Sequence, residues 1–388
     1  MLVTSALALT SSTVGSARPK KAAKFEGSLI SALRVSAPGV DGSAFAVKYW
    51  SRSVHNRPQS VTGIVFVPNG TAPAGGWPVI SYGHPTDGMA SQCAPSLSPS
   101  TDVPSVNGFL DRGWEVVATD YQGEGNPNLA PTTPGLQPHG VNLPEAHNII
   151  DIVRAASGVP GADPSSNYVV WGYSQGGGAA TFSLEVAASY APGLHLRGVV
   201  ATAPSVDLAD AFYGAPTDSA SPFTLMYVAG YHAAYGTKVR LSAALTQTGK
   251  ALASHLGHEC YGAIAQSIDQ YQVDQVFKTT TLTPQFRLLL SANDPLNVRG
   301  VSPTPLLFVQ GADDTTDPAS GTALLSNHLC GLGQDVVLWM YPGLDHQSIV
   351  GSSSSDVTHW IADRFSGQPS PDTYQPTGVG GVQNSHCN

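Results

Sequence analysis

The 388-residue sequence has little charge, few cysteines and no long apolar run. Charged residues make up 12% and hydrophobic residues 41%, which excludes a solvated, disordered chain and fits a compact core. Eighteen Lys and Arg stand against 27 Asp and Glu, a formal net charge of -9, so the electrostatic footprint of a nucleic-acid binder is missing. The four cysteines, Cys93, Cys260, Cys330 and Cys387, are widely spaced and contain no C-x-x-C pair. That excludes the usual zinc ribbon, iron–sulfur and thioredoxin-type signatures. An even count in an exported chain points to two disulfides, with three pairings open. No stretch is apolar enough for long enough to span a membrane. Internal repeats, a P-loop lysine and a G-x-G-x-x-G fingerprint are likewise missing. His255, His258, Glu259 and Cys260 lie close in sequence but match no strong zinc spacing, so neither a metal nor a cofactor is expected.

Glycine and proline, by contrast, are abundant, 41 and 30 residues. They punctuate a rhythm of short apolar runs and helical periodicities. Residues 1–27 form a leader. Its first fifteen or so are mildly apolar and end in Gly15-Ser16-Ala17, which reads as a secretory signal without a charged start and implies export. Residues 44–50 and 61–67 alternate and read as an antiparallel pair of strands. Further strands are expected at 79–82, 115–119, 168–171, 198–203, 305–310 and 335–341. Helices are expected at 106–112, 145–157, 319–330 and 356–365, with another directly after residue 174. Strands alternating with helices, several of them continuously apolar, imply a largely parallel α/β sheet covered on both faces. Residues 206–300 break the rhythm with helical stretches at 223–235 and 239–255 and no convincing strand. They read as a helical cap inserted between core segments 28–205 and 301–366, with Leu225, Met226, Tyr227 and Tyr231 available to line an apolar acyl site. A Pro/Gly/Ser-rich tail, 367–388, ends in Cys387 and Asn388.

The chemistry centres on Gly172-Tyr173-Ser174-Gln175-Gly176. The apolar run Tyr168-Val169-Val170-Trp171 precedes it, and the small residues Gly177, Gly178, Ala179 and Ala180 follow. A strand, a sharp turn and a helix with serine at the tip make a nucleophile elbow. A serine hydroxyl needs a histidine to take its proton and a carboxylate to orient that histidine. In this arrangement the chain order is serine, acid, histidine. The loop Gly311-Ala312-Asp313-Asp314-Thr315-Thr316-Asp317-Pro318 follows an apolar strand and offers three carboxylates. Asp314 is the choice, since Gly311 and Pro318 frame it as G-x-x-D with a following proline; Asp313 is second and Asp317 third. His346, in Pro342-Gly343-Leu344-Asp345-His346-Gln347, lies just past the last core strand, where the base belongs. The oxyanion hole needs two backbone N–H groups. One is expected from Gln175, the other from Thr86 or Asp87 in the loop Gly83-His84-Pro85-Thr86-Asp87-Gly88.

With these residues in place the sequence resembles the secretory lipases of the Candida antarctica lipase A type. Ser81-Tyr82-Gly83-His84 through Asp87-Gly88, then Cys93-Ala94-Pro95-Ser96, is similar to their oxyanion segment. The elbow, the 311–318 loop and His346 follow in the family's order. The resemblance implies an α/β-hydrolase fold with a helical lid after the sixth strand, and Ser174, Asp314 and His346 as the triad. It implies Asp87 and Gln175 as oxyanion donors, and disulfides Cys93–Cys260 and Cys330–Cys387, the latter holding the tail. Gln175 stands where the yeast member has glycine, and its side chain is expected to narrow the acyl pocket. The implied activity is secreted hydrolysis of carboxylic esters, small or lipidic, at a lipid–water interface in the latter case, through an acyl-enzyme. Transfer to an alcohol, peptide cleavage, or a non-catalytic ligand-binding role are the alternatives.

Overall fold

The computed structural model describes residues 26–100, 103–129, 135–209, 221–278, 282–370, 374–377 and 381–387. The signal-like stretch expected within residues 2–17 lies outside them. Glu26 and Gly27, assigned above to the leader, already belong to the core: Gly27 N–H donates to Trp50 O at 2.7 Å, and Glu26 pairs with Arg52.

Ten strands form one sheet among the described residues: β1 (Leu29–Val35), β2 (Gly42–Arg52), β3 (Pro58–Pro68), β4 (Trp77–Gly83), β5 (Glu115–Thr119), β6 (Pro164–Tyr173), β7 (His195–Thr202), β8 (Leu306–Gly311), β9 (Val336–Tyr341) and β10 (Gln383–Cys387), in the order β1-β2-β3-β5-β4-β6-β7-β8-β9-β10. The first three strands run antiparallel, β5-β4-β6-β7-β8-β9 are parallel, and β10 closes the far edge antiparallel to β9. Every residue of β5 and β8 is buried, as strands covered on both faces must be.

Helices α1 (Val106–Leu110), α2 (Asn142–Ala156) and α3 (Gln175–Tyr190) follow β4, β5 and β6; α4 (Pro222–Tyr235), α5 (Leu241–Ala244), α6 (Gln247–His255), α7 (Tyr261–Ile268), α8 (Val273–Val276) and α9 (Pro284–Ala292) lie between β7 and β8; α10 (Ala319–Gly331) and α11 (Ser348–Ser366) follow β8 and β9. Ile149, Ile152 and Val153 of α2, Ala179 and Phe182 of α3, and Leu325 and Leu329 of α10 pack with Val117, Val170 and Phe308 on one sheet face. Phe109 of α1 and Ile349, Trp360 and Ile361 of α11 pack with Trp171, Val200 and Leu307 on the other. Helices α4–α9 share a core of their own, built on Leu225, Met226, Tyr231, Ile264, Phe286 and Leu290, which also takes in Met89 and Val141 from the main body.

Three sequence expectations change. The helical stretch 239–255 is two helices, α5 and α6, because Leu245 and Thr246 turn extended between them and Leu245 bridges to Phe277. The edge strand β1 alternates too weakly to stand out, so the helical unit follows the seventh strand and not the sixth. The tail carries strand β10, whose Gln-Asn-Ser-His composition gives no apolar pattern; it forms by register with β9 beside the Cys330–Cys387 disulfide.

Between β4 and β6 the sheet reverses its direction of winding, since β5 lies on one side of β4 and β6 on the other. The loops at the carboxyl ends of these two strands therefore diverge and leave a crevice. The oxyanion-type loop after β4 and the serine turn after β6 both open into it.

Candidate active site

Close packing of backbone against backbone makes the serine turn. A Cβ added to Gly172 would lie 1.9 Å from Gly176 O, and one on Gly176 would lie 2.0 Å from Gly83 O. Only glycine lets β4, β6 and α3 approach this far. Ser174 sits between them at φ 56° and ψ -118°, a backbone conformation that costs an L residue energy and persists because its neighbours hold it. Ser174 N–H donates to Thr202 O at 3.0 Å, and Ser174 O accepts from Gly177 N–H at 2.8 Å and from Ser205 N–H at 3.2 Å. The hydroxyl is thereby fixed at the N-terminus of α3.

Ser174 Oγ lies 3.0 Å from His346 Nε2, and His346 Nδ1 lies 2.8 Å from Asp314 Oδ2. Asp314 is buried and fully engaged. Its Oδ1 accepts from the N–H groups of Thr316 and Asp317, each at 2.9 Å, and its Oδ2 also accepts from Gln310 Nε2 at 2.9 Å. Thr322 donates to Gln310 Oε1 at 2.6 Å and so orients that amide. Asp313 points to solvent, and its N–H donates to Leu344 O. Tyr173 braces the histidine, its hydroxyl donating to His346 O at 2.7 Å. Burial alone would lower the His346 pKa, but the hydrogen bond to Asp314 and the charges of Asp317, Asp314 and Asp345 outweigh it and hold the imidazole above its ordinary value. A base so raised is suited to take the serine proton, since its imidazolium form would be stabilised.

On the β4 side, Gln175 is the first residue of α3, and neither its N–H nor that of Asp87 makes a hydrogen bond among the described residues. The Asp87 segment is fastened from three directions. His84 Nδ1 lies 2.9 Å from Asp87 Oδ2, Tyr261 N–H donates to Asp87 O at 2.9 Å, and Gly88 bridges to Cys260, which is disulfide-bonded to Cys93. The Gln175 side chain is hydrogen-bonded at both atoms of its amide. It is buried, donating to Glu145 Oε1 at 2.8 Å and accepting from Thr86 Oγ1 at 3.4 Å. A buried carboxyl partner thus holds its amide.

That partner belongs to a group of buried acids. Burial raises Glu145 to about 8, against the lowering by its Gln175 bond, and raises Glu124 well above the usual carboxyl range. Glu115, at the start of β5, is likewise raised to about 8 by burial. Groups with a raised folded pKa bind protons that the unfolded chain has released. From pH 6.5 to pH 8 these acids, with His84 and His346, act in the same direction, and stability falls as pH rises. The buried histidines His139 and His147, lowered to about 3 and about 4 by burial, oppose them only at the low end of that window, where the unfolded imidazoles still hold protons, and the three raised glutamic acids outweigh them there. Thermal melts between pH 6.5 and pH 8 should show Tm decreasing steadily; a flat or rising Tm would contradict this account.

Reasoning from sequence missed three features of the site. Asp317, considered only as a weaker candidate for the triad acid, brings Oδ2 to 3.4 Å from Ser174 Oγ and 3.8 Å from His346 Nε2. Ser205, in the segment after β7, donates to the same oxygen at 3.0 Å. Tyr227 of α4, expected as an acyl-site lining residue, has its hydroxyl beside Ser205, so the helical unit reaches the cluster around Ser174. None of the three carries a local motif; only the proximity of the β6, β7 and β8 loops could have revealed them. His255, His258 and Glu259 bring ligand atoms within 4.8 Å of one another at the α6–α7 turn, on partly exposed side chains, while Cys260 is committed to its disulfide. No described helix is long and apolar enough to cross a membrane.

The sequence profile of the secretory lipase family matches residues 90–373. Among curated proteins, the chain is 24% identical to a probable inactive lipase of Mycobacterium tuberculosis, over 85% of this chain and 75% of that one. It is 22% identical to lipase A of Arthroderma benhamiae, over 86% of this chain and 72% of that one. The fold is that of α/β hydrolases: the closed state of Candida antarctica lipase A superimposes with a TM-score of 0.76 at 21% identity, covering 92% of this chain and 87% of that one.

Proposed function

Since the chain belongs to the secretory lipase family, a group of ester-hydrolysing relatives, we propose that it is an exported serine hydrolase of carboxylic esters acting through an acyl-enzyme. The observation that carries this reading is the unbroken path Ser174 Oγ–His346 Nε2, 3.0 Å, and His346 Nδ1–Asp314 Oδ2, 2.8 Å. Ser174 attacks the ester carbonyl while His346 takes its proton. The N–H groups of Gln175 and Asp87 stabilise the oxyanion, and His346 then protonates the departing alcohol. Asp314 keeps the imidazole in the required tautomer, and its own three donors hold it in place to do so. Water activated by the same histidine releases the acid. The chemistry needs only these side chains and N–H groups. Both disulfides fit an oxidising compartment, in keeping with export. The helical unit of residues 206–300 acts as the lid over Ser174, with Tyr227 as its contact.

The test combines a serine-directed fluorophosphonate with a p-nitrophenyl ester chain-length series carried across the solubility limit. Labelling at Ser174 and turnover of the esters are expected. A native protein that is neither labelled nor active would favour the non-catalytic, ligand-binding alternative, in line with the name of its mycobacterial relative.

A further inference from the structure

The carboxylate of Asp317 is not used by the mechanism above, yet it lies within 4 Å of both Ser174 Oγ and His346 Nε2. Its backbone is fixed by the triad itself, since Asp317 N–H donates to Asp314 Oδ1 at 2.9 Å and Asp317 O accepts from Gln310 Nε2 at 3.2 Å. The side chain then turns back over the serine. Oδ2 lies 3.0 Å from Ser205 Oγ, 3.4 Å from Ser174 Oγ and 3.8 Å from His346 Nε2. Oδ1 takes no hydrogen bond among the described residues, and the side chain keeps 16% of its exposure. Burial raises the acid to about 6, against the lowering by His346, so near neutrality it is mainly ionised and a strong acceptor.

Topology says which part of a substrate it meets. The oxyanion loop follows β4 on one side of β6, whereas Ser205 and Asp317 follow β7 and β8 on the other. A carbonyl oxygen drawn toward Gln175 and Asp87 turns the other substituents of the ester carbon toward the β7–β8 side. Of these, the alkoxy oxygen must come within hydrogen-bond reach of His346 Nε2 to be protonated. Groups on the neighbouring alcohol carbon then lie beside Asp317. An aliphatic alcohol would desolvate that carboxylate without replacing its hydrogen bonds, which is costly. A hydroxyl there would supply the missing donor.

We propose that Asp317 is a specificity-determining acceptor for the leaving alcohol, and that the enzyme favours esters of polyols, in which a hydroxyl neighbours the scissile ester, over esters of plain alkanols. The proposal rests on the serine-hydrolase reading. It adds no bond-making step: the hydroxyl of the bound alcohol donates to Asp317 and leaves with the product.

Two esters of one acid isolate the effect, 2-hydroxyethyl butyrate and propyl butyrate, which differ chiefly in a terminal hydroxyl against a methyl. The ratio of their kcat/KM values is measured for the native protein, for Asp317→Val and for Asp317→Asn. Both substrates are assayed on the same preparation, so the ratio does not depend on the fraction folded, and the difference in intrinsic reactivity cancels between proteins. Relative to the native protein the ratio should fall about 10-fold in Asp317→Val, as expected for one lost hydrogen bond to a charged group, and by less in Asp317→Asn, which keeps an acceptor. An unchanged ratio in both variants, with the native protein active on both esters, overturns the assignment of Asp317 and leaves the hydrolase reading intact. A native protein that cleaves neither ester, and no p-nitrophenyl ester, overturns the hydrolase reading itself.

Discussion

Ser174→Ala should lower kcat on p-nitrophenyl butyrate by about a million-fold, the scale seen when the nucleophile of another serine hydrolase is removed. The expectation follows from what the hydroxyl does and does not touch. Oγ interacts with His346 Nε2 and Asp317 Oδ2, while the turn is held by backbone bonds to Thr202, Gly177 and Ser205 that alanine retains. Alanine also takes up the same strained φ of 56° at no greater cost than serine. Stability should therefore change by less than about 1 kcal/mol, and a normal melting curve would show that lost turnover is lost chemistry. A residual acceleration of about a thousand-fold over water should survive, because Gln175 and Asp87 still offer their N–H groups. Turnover within 100-fold of the native rate would mean that another residue carries the nucleophile's role.

The largest effect on stability should come from Gly176→Ala. The new Cβ would lie 2.0 Å from Gly83 O and 2.8 Å from His84 O, both backbone atoms that no rotamer change can move aside. Relief requires that α3 part from β4, which would open the crevice between β4 and β6 and shift Gln175 N–H away from the Asp87 loop. A loss of more than about 4 kcal/mol is expected, as for overpacking that only backbone displacement can relieve. Denaturant melts of Gly176→Ala and Gly178→Ala side by side provide the check. At Gly178 the nearest atoms are the side-chain ends of Asn142, at 2.9 and 3.1 Å, which can yield, so that change should cost less. Equal losses in the two variants would show that the tight approach of β4 and α3 does not govern stability.

The central strands and the site loops were legible because burial on both faces leaves a direct mark on composition. Val-Val-Trp before Ser174 and Leu-Leu-Phe-Val before Asp314 are runs that only a covered strand tolerates. Asp314 was distinguishable from Asp313 by its place in the G-x-x-D frame, and the structure adds the reason: three donors converge on Asp314 while Asp313 faces water. The edges of the sheet were not legible. Strands β1 and β10 are half-exposed, and partners at one edge only, not their own side chains, make them strands. The polar surroundings of Ser174 were also hidden. Asp317, Ser205, Tyr227 and Glu145 come from four separate segments, and each resembles an ordinary loop or helix residue until the fold brings them together.

The fastening of the Asp87 segment to the helical unit has a mechanical consequence. Cys93–Cys260, the Gly88–Cys260 bridge and the bond from Tyr261 N–H to Asp87 O clamp the start of α7 to the loop that would furnish an oxyanion donor. Tyr227 lies beside Ser205 and packs edge-on against His139, so the α4 end of the unit rests on the main body as well. On the lid reading both ends of the unit rest on the main body, and the α7 end is in addition held by a covalent bond. The clamp would carry any displacement of α7 to Asp87, so the placement of the helical unit and the aim of the proposed oxyanion donor are linked by a covalent tether.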